Sequence, residues 1–313
     1  MRIVSLLPSL TEIVSALDRK EHLVGRSHDC NFPPGITALP SCTEPKFQAD
    51  GTSYEMDQRV KAILQEGLSV YRVDAEQLAK LKPDIILTQD HCEVCAASLS
   101  DVQEAVQSTL AEEVTIISVS PTDLSSAVDA VRIVARAIEA EKEAEELTAQ
   151  MKEDLREIQR QTRPLRRPDV LCLEWLNPLM AAGNWVPELV QLAGGTPLAA
   201  TAGAYSPKLE WEKVRRLNPG IITIAPCGYE ISKTLAELDT VTNRPGWMEL
   251  KAVQNHQVFI MDGDQYVNRP GPRLVDTTRI LAEIIHPSRF RTSSGRYPDW
   301  INLRDYQFKQ NIC

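Results

Sequence analysis

Nowhere in this chain do about 18 apolar residues follow one another, so no segment is expected to span a membrane. The opening stretch, MRIVSLLPSLTEIVSAL, is broken by Pro8, Thr11 and Glu12 before a signal-peptide core or small-residue cleavage site can form. A cytoplasmic chain is therefore the expectation, with a periplasmic location reserved for a sequence already trimmed of its leader. Catalytic signatures are missing as well: there is no Gly-x-Ser-x-Gly elbow, no Walker lysine loop and no Gly-x-Gly-x-x-Gly after the first strand. This weakens readings as a nucleophilic or nucleotide-dependent enzyme. Positive charge is in short supply. Lys and Arg number 34 against 43 Asp and Glu, a net charge of -9 that argues against nucleic-acid binding and for a small or cationic partner.

What is present is an ordinary globular composition, 43% hydrophobic and 25% charged, in 313 residues, a length for which two domains are the natural prior. The organising stretch is Glu76 to Cys95, EQLAKLKPDIILTQDHCEVC. Leu78 and Leu81 share a helical face, and Pro83 ends the helix because a proline pushes the preceding residue out of the αR region. Ile85, Ile86 and Leu87 then form an apolar run typical of a strand covered on both faces. A cluster of ligand-type side chains follows it. Glu210 to Gly228, EWEKVRRLNPGIITIAPCG, repeats the pattern 136 positions later: Glu212 falls on Glu76, Val214 on Leu78, Pro219 on Pro83 and Cys227 on His91. Helix, breaker, strand and polar end all coincide, so two similar α/β lobes are expected, with ligands held past the carboxyl ends of parallel strands.

Between the halves, residues 124–161 contain no Gly or Pro and keep three-and-four apolar spacing, which predicts one long helix of over about 50 Å. The division that follows is an N-terminal lobe at 1–121, an interlobe helix at 122–162, a C-terminal lobe at 163–290 and a polar extension at 291–313.

Candidate binding residues sit at the strand ends. Pro8 and Ser9 open a helix after the first strand, with Ser9 as cap and Glu12 three residues on, a start suited to a polar ligand group or to plain capping. His28, Asp29 and Cys30 lie in a loop fixed by Pro33 and Pro34. Asp90, His91, Cys92 and Cys95 form the sharpest local feature: the two thiols and the imidazole fit a shared metal such as zinc, a dithiol redox pair, or an ordinary loop. In the second half the strand ends supply Glu174, Trp175, Cys227, Tyr266, Asn268 and Arg269, with Trp185 and Tyr205 nearby. Several aromatics so placed suit a large flat ligand, and Arg269 with Asn268 could grip its polar side chains. Seven cysteines, an odd number, are expected to stay reduced in a cytosolic chain.

RIVSLLPSLTEIV, VGRSHDCNFPP, LAKLKPDIIL, NPLMAAGN, VRRLNPGIITI and RPGPRLVDTTRIL together resemble class III substrate-binding proteins of ABC importers, the cobalamin and iron-complex branch. The resemblance runs from about residue 2 to residue 286. It implies two Rossmann-like lobes with parallel sheets joined by one rigid helix, and a ligand such as cobalamin, another corrinoid or an iron chelate in the cleft. It also implies docking of Glu76 and Glu212 onto arginines of an ABC permease. The expected function is non-enzymatic binding of a metal-containing cofactor. The alternative is a metal- or thiol-dependent enzyme built on His91, Cys92 and Cys95, with Glu174 as acid or base.

Overall fold

The computed structural model describes residues 1–90, 98–109, 114–290 and 299–310. The first half alternates strand and helix: β1 (Ile3–Ser5), α1 (Pro8–Ala16), β2 (Leu23–Arg26), β3 (Thr43–Pro45), α2 (Ser53–Gln65), β4 (Tyr71–Val73), α3 (Ala75–Leu81), β5 (Ile85–Gln89), α4 (Leu99–Thr109) and β6 (Thr115–Val119). Two helices follow, α5 (Leu124–Ala137) and α6 (Glu141–Thr162). The second half runs β7 (Asp169–Leu176), β8 (Leu179–Ala181), α7 (Val186–Leu192), β9 (Thr196–Pro197), α8 (Trp211–Leu217), β10 (Ile221–Ile224), α9 (Ile231–Ala236), α10 (Asp239–Thr242), α11 (Lys251–Gln254), β11 (Val258–Met261), α12 (Leu274–Ile285), β12 (Trp300–Asn302) and α13 (Leu303–Gln310).

Each half builds its own sheet. The first is β2-β1-β5-β6, parallel throughout, and the second is β12-β11-β10-β7-β8 with β9 beside β7. The inner strands of the second are parallel, while β8 and β12 run antiparallel at its edges. All five residues of β5 and all four of β10 are buried, as continuous apolar runs covered on both faces require. β3 and β4 pair separately as a two-stranded ribbon.

The internal repeat is visible in backbone detail. α3 and α8 each have seven residues, each ends on a left-handed residue (Lys82 at φ 45°, Asn218 at φ 43°), and each is followed by proline and a buried strand. Leu78 and Val214 sit at equivalent points, 0% and 1% exposed, and their carbonyls accept the capping N–H of Lys82 and Asn218.

The segment between the lobes departs from the single helix predicted over 124–161. It breaks at Ile138–Ala140, leaving α6, with 22 residues and a length of about 33 Å, as the longer of two helices. Glu139 takes φ 55°, a left-handed conformation that costs a non-glycine residue roughly 1–2 kcal/mol. Burial of Ile138 and Ala140 on either side offsets it, and Arg19 bonds both the Glu139 carbonyl and the Glu143 carboxylate. Ala144, Met151 and Leu155 of α6 belong to the core that contains β1 and β5, and Ile158 to the core that contains β7 and β10. The polar tail also contributes more than its composition suggests. β12 pairs with β11, and Trp300 packs edge-on against Phe259 at 5.4 Å.

Leu78→Ala is expected to cost about 2–5 kcal/mol in urea unfolding, as a fully buried leucine in a closed core does.

Candidate functional site

The strand ends of the two sheets face each other, and the contacts that join them centre on Arg269. This side chain, 6% exposed, leaves the loop after β11 and crosses to the first lobe. Its Nη1 donates to Glu12 Oε1 at 2.9 Å, and its Nη2 to Asn31 Oδ1 at 2.7 Å and to Asp264 Oδ1 at 3.1 Å. Asn31 in turn donates to Asp264 Oδ2 at 2.5 Å, and Gln265 Nε2 donates to Asn31 Oδ1 at 3.0 Å. Arg273 adds a second bond to Glu12 Oε1 at 3.3 Å and lies over the rings of Phe32 (4.1 Å) and Tyr266 (4.6 Å). Glu12, 2% exposed, has its carboxyl held above the ordinary range by burial, against the pull of Arg273 and Arg269.

Ser9 therefore does not cap its helix. The N-cap is Leu7, without a side-chain bond, Pro8 takes the first helical turn, and Ser9 is buried with the backbone of Gly271 against it. Glu12 turns inward to the arginines because a buried guanidinium is a stronger partner than a backbone amide. Neither Pro8 nor Ser9 offers an open helix start to a ligand.

Beside this junction lies a group drawn from both lobes. From the first come His28, Asp29 and Tyr71. The His28 imidazole packs tilted against the Tyr71 ring at 5.3 Å and 42°, its Nδ1 is 2.8 Å from Thr43 Oγ1, and its Nε2 is 3.3 Å from Asp29 Oδ2. Burial lowers its pKa, so the ring is neutral at neutral pH. From the second lobe come Glu174 at the end of β7, Cys227 past β10, and Asp264. Asp29 and Asp264 feel each other's charge across the gap, and Cys227 feels Glu174, Asp29 and Asp264. Cys227 is open to solvent, yet desolvation and these three carboxylates push its thiol up to about 12. It is thus a neutral thiol at physiological pH, too little ionised for nucleophilic catalysis or redox exchange though still open to slow alkylation by a maleimide. Glu174, bonded to Ser206, is raised to about 7, first by burial.

The other expected residues are placed differently. Trp175 stays with this group and meets Tyr229 edge-on at 5.4 Å. Trp185 does not reach the gap: it is 6% exposed and donates from Nε1 to Val267 O, bracing the second core. Tyr266 is engaged by Arg273 and donates to Asp299, and Asn268 ties the Ala225 and Gly263 carbonyls together. Tyr205 is 69% exposed on the loop that carries Ser206. Cys30 is fully buried, contacts Thr11 Oγ1 at 3.1 Å and is raised to about 11, so it points into the first lobe rather than the gap. Arg269 is not free to grip a ligand, being occupied by Glu12, Asn31 and Asp264. Asp90 is exposed at the end of β5, while His91, Cys92 and Cys95 lie outside the described residues. Among the described residues no group of three or more His, Cys, Asp or Glu side chains could hold a metal ion. Glu76 and Glu212 are both exposed on the first turns of their helices, with Glu212 3.1 Å from Arg215.

Sequence reasoning missed Glu12 as a buried partner, along with Asn31, Asp264, Tyr71 and Tyr229. The signals were slight: an acid on an apolar helix face, and an Asp one turn before the arginine of a strand-end loop.

Comparison with known proteins agrees with the fold. A family model described as periplasmic binding protein matches residues 3–265. The uncharacterized ABC transporter substrate-binding lipoprotein YvrC of Bacillus subtilis (strain 168) is 26% identical over 297 residues, covering 93% of this chain and 81% of that protein. A periplasmic heme binding protein from Pseudomonas aeruginosa superposes with a TM-score of 0.69 at 22% identity, covering 92% of this chain and 93% of that one. The periplasmic vitamin B12 binding protein BtuF of Vibrio cholerae does so with a TM-score of 0.65 at 20% identity, covering 91% and 96%. These findings overturn the expectation of a cytoplasmic chain, since the family is periplasmic and this relative a lipoprotein. They also set aside the enzyme alternative, because the relatives are substrate-binding proteins. No helix among the described residues is long and apolar enough to cross a membrane.

A carboxyl whose folded pKa is raised from 4.5 to about 7 contributes stability that is complete below 4.5 and lost as pH rises through about 7. Glu174→Gln is therefore expected to match the wild type near pH 4 and to exceed it by about 3 kcal/mol at pH 8, read from urea unfolding at the two pH values.

Proposed function

The chain belongs to the periplasmic binding protein family, and we propose that it captures a metal-containing macrocycle, a corrinoid such as cobalamin, in the gap between its lobes and delivers it to an ABC permease. The observation that carries the choice of ligand is the charge of the opposing walls. Asp29, Glu174 and Asp264 converge on Cys227, and the guanidinium facing them is already committed to Glu12, Asn31 and Asp264. A macrocycle bearing carboxylates would meet like charges there, whereas a corrin whose side chains are amides would not. Trp175, His28 and Tyr71 supply ring surface for it. Cys227 offers a neutral sulfur, and zinc has no part in this reading.

Lobes taken as residues 1–121 and 163–290 place Glu76 and Glu212 at equivalent points of the repeat. In this reading they are the docking acids for permease arginines.

Titration of purified protein with hydroxocobalamin and with hemin tests the ligand. Corrinoid binding at least tenfold tighter than hemin is expected, with a change in the corrinoid absorption spectrum. Hemin preference, or no corrinoid uptake, contradicts the proposal. For docking, Glu76→Lys combined with Glu212→Lys is expected to abolish uptake in a reconstituted transport assay while leaving corrinoid affinity within about twofold, a factor worth only about 0.4 kcal/mol.

A further inference from the structure

Between the paired strands β3 and β4 the chain leaves the first lobe and returns, and residues 46–70 that make the excursion carry α2. This helix is weakly attached to its own lobe. Of its 13 residues only Ser53 is buried. Its helical form is secured locally instead, by a capping box in which Thr52 and Glu55 satisfy each other's backbone amides and by Arg59 bonds to the carbonyls of Gln48 and Asp50. Such a segment moves as a unit more cheaply than it unfolds. Each end of it has a glycine in the left-handed region, Gly51 at φ 93° and Gly67 at φ 69°, where the chain reverses direction with little steric resistance.

Its firm contacts are with the opposite lobe. Ser53 N donates to Glu237 Oε2 at 2.7 Å, Tyr229 OH donates to Glu237 Oε1 at 3.0 Å and meets Met56 Sδ at 3.4 Å, and Lys233 Nζ lies 3.8 Å from the same sulfur and 4.0 Å over the Tyr229 ring. Tyr229 is completely covered, while Cys227, two residues earlier, is open to solvent. Tyr71, at the foot of the excursion, interacts with Cys227. The hydroxyl of Ser53 is buried without a hydrogen-bond partner, a penalty that is relieved when the helix lifts.

We propose that α2 is a hinged cover over the gap between the lobes, latched by Ser53 and Met56 to Glu237 and Tyr229, and that it must swing on Gly51 and Gly67 to admit a bulky ligand. The cover acts on the binding site proposed above, but its existence does not depend on the ligand being a corrinoid.

The test compares wild type, Glu237→Ala and Glu237→Gln, each first shown to be folded by circular dichroism. Alkylation of Cys227 by a polyethylene-glycol maleimide and by N-methylmaleimide is followed by peptide-mapping mass spectrometry. The bulky reagent is expected to react at least tenfold faster in Glu237→Ala, the small one less than threefold faster, and Glu237→Gln, which keeps only one of the two acceptor oxygens, to fall between Glu237→Ala and wild type. Equal rates with the bulky reagent across the variants would overturn the cover. Stopped-flow mixing with hydroxocobalamin supplies the second arm, where the association rate is expected to rise at least fivefold in Glu237→Ala. An association rate indifferent to the latch also overturns the proposal. If the wild type takes up no corrinoid yet Cys227 labelling keeps its size dependence, the ligand assignment falls and the cover stands.

Discussion

The geometry of this protein depends on one buried ion pair, Glu12 with Arg269, each side chain less than 7% exposed and each belonging to a different lobe. Isolated, either charge would be too costly to keep out of water, and even together their desolvation cancels much of the attraction. The pair is therefore weak evidence for stability and better evidence for registry. Asn31, Asp264 and Arg273 add hydrogen bonds to it from both sides, all those on Glu12 falling on Oε1 while Oε2 stays buried without a partner, and together they hold the loop after β11 in one alignment against α1. That alignment brings the ends of β7 and β10 opposite the His28 loop.

The consequences reach the site directly. Because Arg269 is consumed by the junction, the neighbouring carboxylates of Asp29, Asp264 and Glu174 are only partly balanced, and burial raises the pKa of Asp29 and Glu174. Desolvation first, and these carboxylates after it, keep Cys227 a neutral thiol. A junction built from charge thus leaves a gap whose walls disfavour anionic ligands. The opposite side of the gap is spanned by α2, whose few buried groups make it the mobile partner of a rigid pair. One edge is fixed by a buried ion network and the other held by a handful of exchangeable contacts.

The architecture was legible in the sequence because it rests on local signals. Leu78, Pro83 and Ile85–Leu87, repeated as Val214, Pro219 and Ile221–Ile222, announce a helix, a stop and a buried strand through periodicity and proline sterics alone. The break at Glu139 was not legible, since no glycine or proline marks it and the left-handed turn is enforced by burial of its neighbours and by distant Arg19. The site was legible in part. His28, Asp29, Glu174, Trp175 and Cys227 stand at strand ends and do converge, whereas Trp185, Cys30 and Tyr266 share the same sequence position but point into cores or neighbouring loops. Which way a strand-end side chain turns is decided by partners more than 80 residues away, as with Trp185 and Val267. Glu12 was read as a capping residue because its real partners lie 257 and 261 positions along the chain.

A double-mutant cycle between Glu12 and Arg269, using Glu12→Gln, Arg269→Met and the pair together in urea unfolding, tests the junction most directly. Arg269→Met alone should cost about 3–5 kcal/mol by leaving a buried carboxylate unpaired. The double variant should recover part of that loss, giving a coupling energy of about 1–3 kcal/mol. Additive losses, within about 0.5 kcal/mol, would mean that the two side chains do not join the lobes.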